Sequence, residues 1–505
     1  MVNKILKPTI LISIVTIFSR LIGYLRDIII AFFTGTSSLS DLVFITLKIF
    51  SFVNVLFGYN QISPPLVRVY TKFKNYKKEE NNFINFSFSF FIFSSLFIFI
   101  IVSFVYFFSD VIIQYSFKTL DDELSQLYST NLRIIIICCP IIFMESILIA
   151  ILRTKYIFVP VSFLPIIINF VLIFFLLISD KFFNNYLQFT SFALVIATIL
   201  QLIFLTFFIK FRIKFLNFKK IKFKKEIFET YKALILSVGL GVLLLLTNVY
   251  AMIVSSAVEG NISYIYYSNR IYYIVIDIFG ASLGYVVLTR ITELIKHKET
   301  IQINHLKKMA YLYIIYTAIP FSIGLYIFSD LLIQLLFQRG NFDEISTYNT
   351  SIVLKSYLYG IPALAYCLFM NSLYMANSKY VKLFYITFIY FILCIFLIRI
   401  LFNEYGVSHI GYSLSISAWV YAFLLSYFSK DQIICMFDFD MILNLFKTFI
   451  YSIGSLSIVF GISKILEISS LKEFVLCILI AIIIYFIFLF IFEKQNLSNL
   501  KRLFN

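Results

Sequence analysis

Charge is scarce in this chain. Asp, Glu, Lys and Arg make up 13% of its 505 residues, where a soluble globular protein carries about 25%. Helix breakers are few as well, with 15 Gly and 8 Pro, and there are one Trp, three His and six Cys. The shortage of charge, combined with 61% hydrophobic residues and a mean hydropathy of +0.94, excludes both a water-soluble fold and a disordered chain. The six cysteines (Cys138, Cys139, Cys367, Cys394, Cys435 and Cys477) lie mainly in apolar stretches and lack metal-ligand spacing. They read as buried small hydrophobes, so no disulfide and no metal are expected. There is no Walker loop, no Gly-x-Ser-x-Gly and no His-Glu-x-x-His. No enzyme chemistry and no cofactor are therefore expected.

What the chain has instead is long apolar runs. A helix needs about 20 apolar residues to cross the hydrocarbon core. Fourteen runs qualify, near 9–33, 41–66, 83–108, 130–152, 157–178, 189–210, 232–256, 263–289, 308–328, 350–375, 381–402, 407–428, 442–463 and 471–492. The fold class expected is all-α: a polytopic membrane protein of 14 transmembrane helices. The first run is not a signal peptide by pattern, because Arg20, Arg26 and Asp27 interrupt it and no small-residue cleavage site follows.

The formal charge of +16 would suggest nucleic acid in a soluble chain. Here the Lys and Arg residues read as topology signals, and no nucleic-acid partner is expected. Basic and base-poor connections alternate. The second connection carries Arg68, Lys72, Lys74, Lys77 and Lys78, the sixth runs from Lys210 to Lys225, and the eighth carries Lys296, Lys298, Lys307 and Lys308. Putting these inside, with an even number of spans, places both termini in the cytoplasm. The stretch 210–225 reads as a positive-inside linker that could also grip anionic lipid.

The two halves echo each other. Phe108-Ser109-Asp110 recurs as Phe328-Ser329-Asp330, an offset of 220 (330 − 110). Lys48-Ile49 recurs as Arg270-Ile271 and Phe57-Gly58 as Phe279-Gly280, at an offset of 222 (270 − 48). Thr154-Lys155-Tyr156 recurs as Ser378-Lys379-Tyr380, at 224 (378 − 154). The matches keep their order and their place in the helix count, so the repeat is six helices. Six is even, which makes the copies parallel, related by an axis along the membrane normal. The expected layout is an N-lobe at 1–210, a basic linker at 211–230, a C-lobe at 231–430, and two extra helices with a tail at 431–505. Two lobes with a seam suggest alternating access to a central cavity.

Charges inside the spans are the candidate functional residues. At the bilayer centre each costs about 2.5–3.5 kcal/mol on insertion scales, so each calls for a partner or a water-filled cavity. Arg20 and Asp27, Asp41 and Lys48, and Arg270 and Asp277 are each seven residues apart. Two helical turns put both members of a pair on one face, about 10.5 Å apart, beyond direct contact. Partners are thus expected from neighbouring helices or from substrate. One reading is that the charges only pair and lock the bundle, as a network around Asp27, Asp41 and Asp277. The other is that Arg20, Arg26, Lys48 and Arg270 bind an anion, since four bases face three acids and the guanidinium fork matches a diphosphate. Glu145, which follows Pro140, reads as either a cavity residue or a coupling acid.

Ser19-Arg20-Leu21-Ile22-Gly23-Tyr24-Leu25-Arg26-Asp27 resembles the Ser-Arg-x-x-Gly-x-x-Arg-Asp opening of the MurJ (MviN) lipid II flippases. Tyr266-Tyr267-Ser268-Asn269-Arg270 is similar to that family's Tyr-Tyr-Ala-Asp-Arg, and Leu336-Phe337-Gln338-Arg339-Gly340-Asn341-Phe342 to its Leu-Phe-x-x-Gly-x-Phe. Leu152-Arg153-Thr154, Pro160, Pro165, Asn169 and Gly411-Tyr412-Ser413-Leu414-Ser415 follow it too. The chain departs from the family pattern in three places. Asn54-Val55 replaces a pair of arginines, Tyr59-Asn60-Gln61-Ile62 replaces a Glu-Gly-Ala-Phe segment, and Asn269 replaces an aspartate. The resemblance implies a monomeric transporter of the multidrug/oligosaccharidyl-lipid/polysaccharide superfamily in the bacterial inner membrane. Its substrate would be lipid II, the undecaprenyl-diphosphate-linked peptidoglycan precursor, and its last two helices would form a groove for the polyprenyl tail. Competing readings are a flippase for another undecaprenyl-diphosphate glycan of the O-antigen type, a cation-coupled drug antiporter, and a scaffold without transport. An antiporter cavity should be acidic, whereas this one has net base.

Overall fold

A computed structural model describes residues 2–73, 79–117, 121–155, 157–182, 186–212, 224–276, 300–377, 379–429, 439–465 and 471–493. These residues are mostly helical, and the expected spans fall on helices, the eighth as far as Ile276, beyond which it lies outside the described residues. Ten helical runs are long and apolar enough to cross a membrane, eleven if one bent pair is a single span. The remaining three expected spans correspond to α1 (Val2–Thr34), α11 (Asn261–Ile276) and α18 (Leu471–Phe492). A helix is what such sequences must form in lipid, where no water satisfies a backbone N–H or C=O. The chain is therefore a polytopic all-α membrane protein. Asp277, Phe279-Gly280, Lys296, Lys298, Cys435 and most of the basic linker lie outside the described residues.

Two compact units are present. The first comprises Met1–Ser263 together with Arg339–Phe342, the second Tyr264–Gln338 with Asp343–Asn505.

In the first unit the order is α1, α2 (Ser38–Phe57), α3 (Tyr59–Phe73), α4 (Glu79–Phe107), α5 (Ser109–Ser116), α6 (Asp122–Ile136), α7 (Cys138–Thr154), α8 (Val159–Phe182), α9 (Tyr186–Arg212) and α10 (Lys224–Ser255). The main packing partners are α1 with α8, α8 with α9, α7 with α3 and α9, and α10 with α2 and α3. The second span is broken at Gly58, whose backbone is extended (φ −77°, ψ 160°). A Cβ there would run into the Asn54 carbonyl. The fourth span breaks between α6 and α7, just ahead of Pro140, whose missing N–H is least costly in a first turn. Away from these contacts α4 presents Leu96, Phe97, Phe99 and Phe104 outward, an apolar surface suited to lipid.

The second unit contains α11, α12 (Thr300–Phe337), α13 (Glu344–Leu358), α14 (Ile361–Ala376), α15 (Tyr380–Tyr405), α16 (Ile410–Tyr427), α17 (Phe439–Ile465) and α18. Phe328, Leu456, Val459, Cys477 and Ala481 form the core that ties α12 to α17 and α18. Pro362 sits in the first turn of α14, and α13 and α14 meet at a bend of 50°. A bend frees carbonyls, and neighbouring helices supply the donors. Ser415 Oγ donates to the Ser356 and Tyr357 carbonyls at 3.0 and 3.2 Å, Ser322 Oγ to Leu358 at 2.5 Å, and Trp419 Nε1 to Tyr359 at 2.9 Å. Gly411 lets α16 come close enough, because a Cβ there would meet Ser356 Oγ and the Tyr357 amide. The Gly411–Ser415 segment on span twelve is thus explained by the break in span ten. The five described cysteines are buried free thiols.

Candidate functional site

Two charged residues of α1, Arg26 and Asp27, form a desolvated cluster. Arg26 is buried and Asp27 is wholly enclosed, at 8% and 0% exposure. Arg26 Nε and Nη2 both donate to Asp27 Oδ1, at 3.0 and 2.6 Å, while Nη1 donates to Asn169 Oδ1 on α8 at 3.0 Å. The spacing points to partners for Asp27 on neighbouring helices or from substrate; one partner is the adjacent residue, Arg26. The arginine stem is long enough to fold back across one position, and α8 closes the other side. Arg20, two turns earlier on α1, is exposed. The role of Asn169 was visible in the sequence only as part of a family pattern.

Asp41 takes its partners from another helix, as expected, but they are not bases: they stand at the start of α11, within the first unit. Oδ1 accepts from the Ser263 amide at 2.8 Å and from Ser263 Oγ at 2.5 Å, and Oδ2 from the Gly260 amide at 2.8 Å. The first N–H groups of a helix have no partner within it and carry a partial positive charge, so a carboxylate is a natural cap. In return Glu259 Oε1 accepts from the Ser38 amide at 2.7 Å, at the start of α2.

Lys48 lies two turns along α2 from Asp41 and is half-buried, with no ion-pair partner among the described residues. Arg270, its counterpart by the repeat, is half-buried on α11 in the second unit. Around it, Tyr267 packs on Phe337 with ring centroids 4.9 Å apart, and Ser268 Oγ donates to the Thr350 carbonyl at 2.8 Å. The Tyr-Tyr-Ser-Asn-Arg run therefore uses two residues to anchor the helix and leaves Arg270 part-way out of the core.

The pattern of the family described as "Lipid II flippase MurJ" matches residues 30–485. The chain belongs to the MurJ family. It is 27% identical over 436 residues to a protein named "Probable lipid II flippase MurJ" from Buchnera aphidicola subsp. Acyrthosiphon pisum, covering 84% of this chain and 83% of that protein. A protein of the same name from Rickettsia prowazekii is 25% identical over 438 residues, with the same coverage. The fold is similar to a solved structure described as "Lipid II flippase MurJ, inward closed conformation", with a TM-score of 0.80 at 24% identity over 96% of this chain and 99% of that one. An inward-facing multidrug resistance transporter of the MATE family is also similar in fold, with a TM-score of 0.64 at 12% identity over 84% of this chain and 97% of that one.

The places where this chain departs from the family pattern now have a structural setting. Asn54, in the place of an arginine, turns its amide back to the Phe50 carbonyl at 3.2 Å. Gln61 links α3 to α10: Ser237 Oγ donates to its Oε1 at 2.8 Å, and Gly241 leaves the room its amide needs. The Gln338–Phe342 segment is a turn seated on the end of α1. The Asn341 amide donates to the Phe32 carbonyl at 3.0 Å and its side chain to the Phe33 carbonyl at 2.6 Å. Gly35 and Gly340 both have positive φ, 57° and 59°, and approach the opposing backbone closely, which only glycine permits.

Two apolar grooves run along the C-terminal helices. One, of about 550 Å³, lies between α12, the α13–α14 bend, Trp419 and α17, with Phe446 and Phe449 on its wall. The other, of about 210 Å³, lies between α12, α17 and α18 and is lined by Pro320, Gly324, Leu456 and Ala481.

Proposed function

We propose that the chain moves lipid II from the inner to the outer leaflet of the bacterial cytoplasmic membrane by alternating access, supplying precursor for peptidoglycan synthesis. The family match over residues 30–485 carries this reading. The placement of basic side chains in apolar spans supports it, as do the grooves beside α17 and α18, whose shape and apolarity suit a polyprenyl tail. On this reading Lys48, Arg20 and Arg270 hold the diphosphate and the acidic peptide. Arg26 contributes charge from within its cluster and exchanges Asn169 or Asp27 for substrate. Asp27, Asp41 and Asp277 belong to the supporting network. The chain acts as a monomeric transporter without catalysis, built as two six-helix lobes joined by the 211–230 linker, with both termini in the cytoplasm. Reporter fusions at residue 120 and residue 218 should then fall on opposite sides of the membrane.

The deciding experiment is complementation of a flippase-depleted host, with protein abundance measured by blot. A charge-assisted hydrogen bond contributes about 1.5–3 kcal/mol. Arg20→Ala and Arg270→Ala should therefore weaken lipid II binding roughly 10- to 150-fold at normal abundance, with Lys a partial replacement because it loses the planar fork. Arg26→Ala should also lower abundance, since leaving Asp27 buried without its base costs about 3–5 kcal/mol. Full flipping by all three variants at normal levels would place the substrate elsewhere.

A further inference from the structure

One titratable group in the first unit has no place in this scheme. Glu145 sits on α7 at 5% exposure, about 13.5 Å from the helix end at Thr154 by the helical rise. Its Oε1 has no hydrogen-bond partner, and no cation pairs with it among the described residues. Its neighbours along the helix, Ile142, Phe143, Ile147 and Ile149, are buried and apolar.

The helices packed against α7 are α2, α3, α4, α6 and α9. Their described titratable and charged side chains are engaged elsewhere or make no bond to Glu145. On α2, Asp41 caps α11, and Lys48 forms no ion pair among the described residues. On α3, Tyr59 lies under the Arg153 guanidinium at 5.4 Å, which also occupies the only base of α7, and Arg68 stands near the far end of its helix. On α4, Tyr106 lies under Arg133. On α6, Arg133 binds Asp110 at 2.5 Å, Tyr128 stacks on Phe117, and Asp122 and Glu123 stand in the first turn. The described side chains of α9 include no titratable group. Cys138, one of α7's two thiols, takes a hydrogen bond from Thr198 at 3.7 Å. Cys139, the other, is buried. An ionised carboxylate in such surroundings would be left without compensation, and a group in that position binds a proton instead.

The next residue gives the site a mechanical connection. Ser146 Oγ donates to the Phe57 carbonyl at 2.7 Å, the last residue of α2 before the break at Gly58. A change of charge at Glu145 therefore acts one residue from the joint of the helix that carries Lys48.

We propose that Glu145 is a proton-binding site, which holds a proton in the arrangement described and exchanges it as span two moves about its break, coupling flipping to the proton gradient. The site itself rests on the geometry around α7; its use in transport rests on the flippase reading above.

The test has two arms. In the first, infrared difference spectra of the full-length protein in lipid nanodiscs are recorded against pH. A protonated-carboxyl band should be present near neutral pH in the wild type and absent in Glu145→Gln, which keeps the shape of the side chain. Its absence from the wild type would overturn the site. In the second, lipid II flipping is followed in proteoliposomes under imposed pH gradients of either polarity. One proton per cycle is worth about a tenfold change in the distribution of substrate per pH unit, so one polarity should raise wild-type transport and the other lower it. Glu145→Gln should flip without this response. Identical responses in both proteins would overturn the coupling. Presence of the band without any flipping of lipid II would keep the proton site and overturn the flippase reading.

Discussion

Asp41 and Glu259 each cap the helix that the other precedes or begins. The Asp41 carboxylate receives the Gly260 and Ser263 amides at the start of α11, and the Glu259 carboxylate receives the Ser38 amide at the start of α2. Ser40 and Ser263 join the same junction, with their hydroxyls 2.7 Å apart. On the proposed two-lobe repeat, an offset of 222 sets Asp41 against Ser263 (41 + 222). A residue that reads as an intramembrane charge is, in its setting, a helix cap.

Replacing Asp41 should therefore act on stability before it acts on transport. Asp41→Ala leaves the Gly260 and Ser263 amides without an acceptor, at about 1–3 kcal/mol for each group, while the Ser263 hydroxyl can still donate to Ser40. The purified protein should melt several degrees lower. Asp41→Asn keeps an acceptor and should recover about half of the loss. An unchanged melting temperature for Asp41→Ala would show that the caps contribute nothing net.

Glycine substitutions should separate the span-ten break from ordinary helix. At Gly411 a Cβ meets Ser356 Oγ and the Tyr357 amide, so Gly411→Ala should cost about 1–3 kcal/mol as overpacking. At Gly461 in α17 nothing lies within 4 Å of the added Cβ. Gly461→Ala should be neutral or stabilising by up to about 1 kcal/mol from helix propensity. Thermal melting of the two variants side by side checks this, and equal effects would refute the close-approach role of Gly411.

Asp343 should give the stability a pH dependence on the low side. Its carboxylate accepts from Ser346, the backbone amide lying at 2.8 Å, and these hydrogen bonds at the start of α13 hold it below the usual carboxylate range. A lowered native value stabilises the fold above the unfolded value, about 3.9. The contribution is lost as pH falls through the lowered one. Asp343→Asn should lower the melting temperature in the neutral region and leave the acid end little changed, which flattens the acid limb of the profile. An identical acid limb in the variant would exclude this cap as a source.

Much of the architecture was legible in the chain. Fourteen apolar runs map onto helices because hydropathy and the absence of water leave a membrane chain one way to satisfy its backbone. The candidate charges were legible as well, since Arg20, Arg26, Lys48 and Arg270 stand out against spans of Phe, Ile and Leu. Less legible were Asn169, Gln61 and Ser415, polar residues of common types whose importance appears only with their partners. Family motifs marked Asn169 and Ser415 without saying what they touch.

What the sequence determined by itself is the class of molecule, an all-α chain of many membrane spans, and the family. These follow from properties that add along the chain, namely hydropathy, charge and local motif. What only the tertiary structure decided is which charges are engaged and with what. Asp27 took its neighbour Arg26, Asp41 took backbone amides from a helix 219 residues on, Lys48 kept its amine out of any described ion pair, and Glu145 was enclosed without a partner. Hydrogen bonds and desolvation depend on distances of a few ångströms between segments far apart in sequence, and no local pattern carries that information.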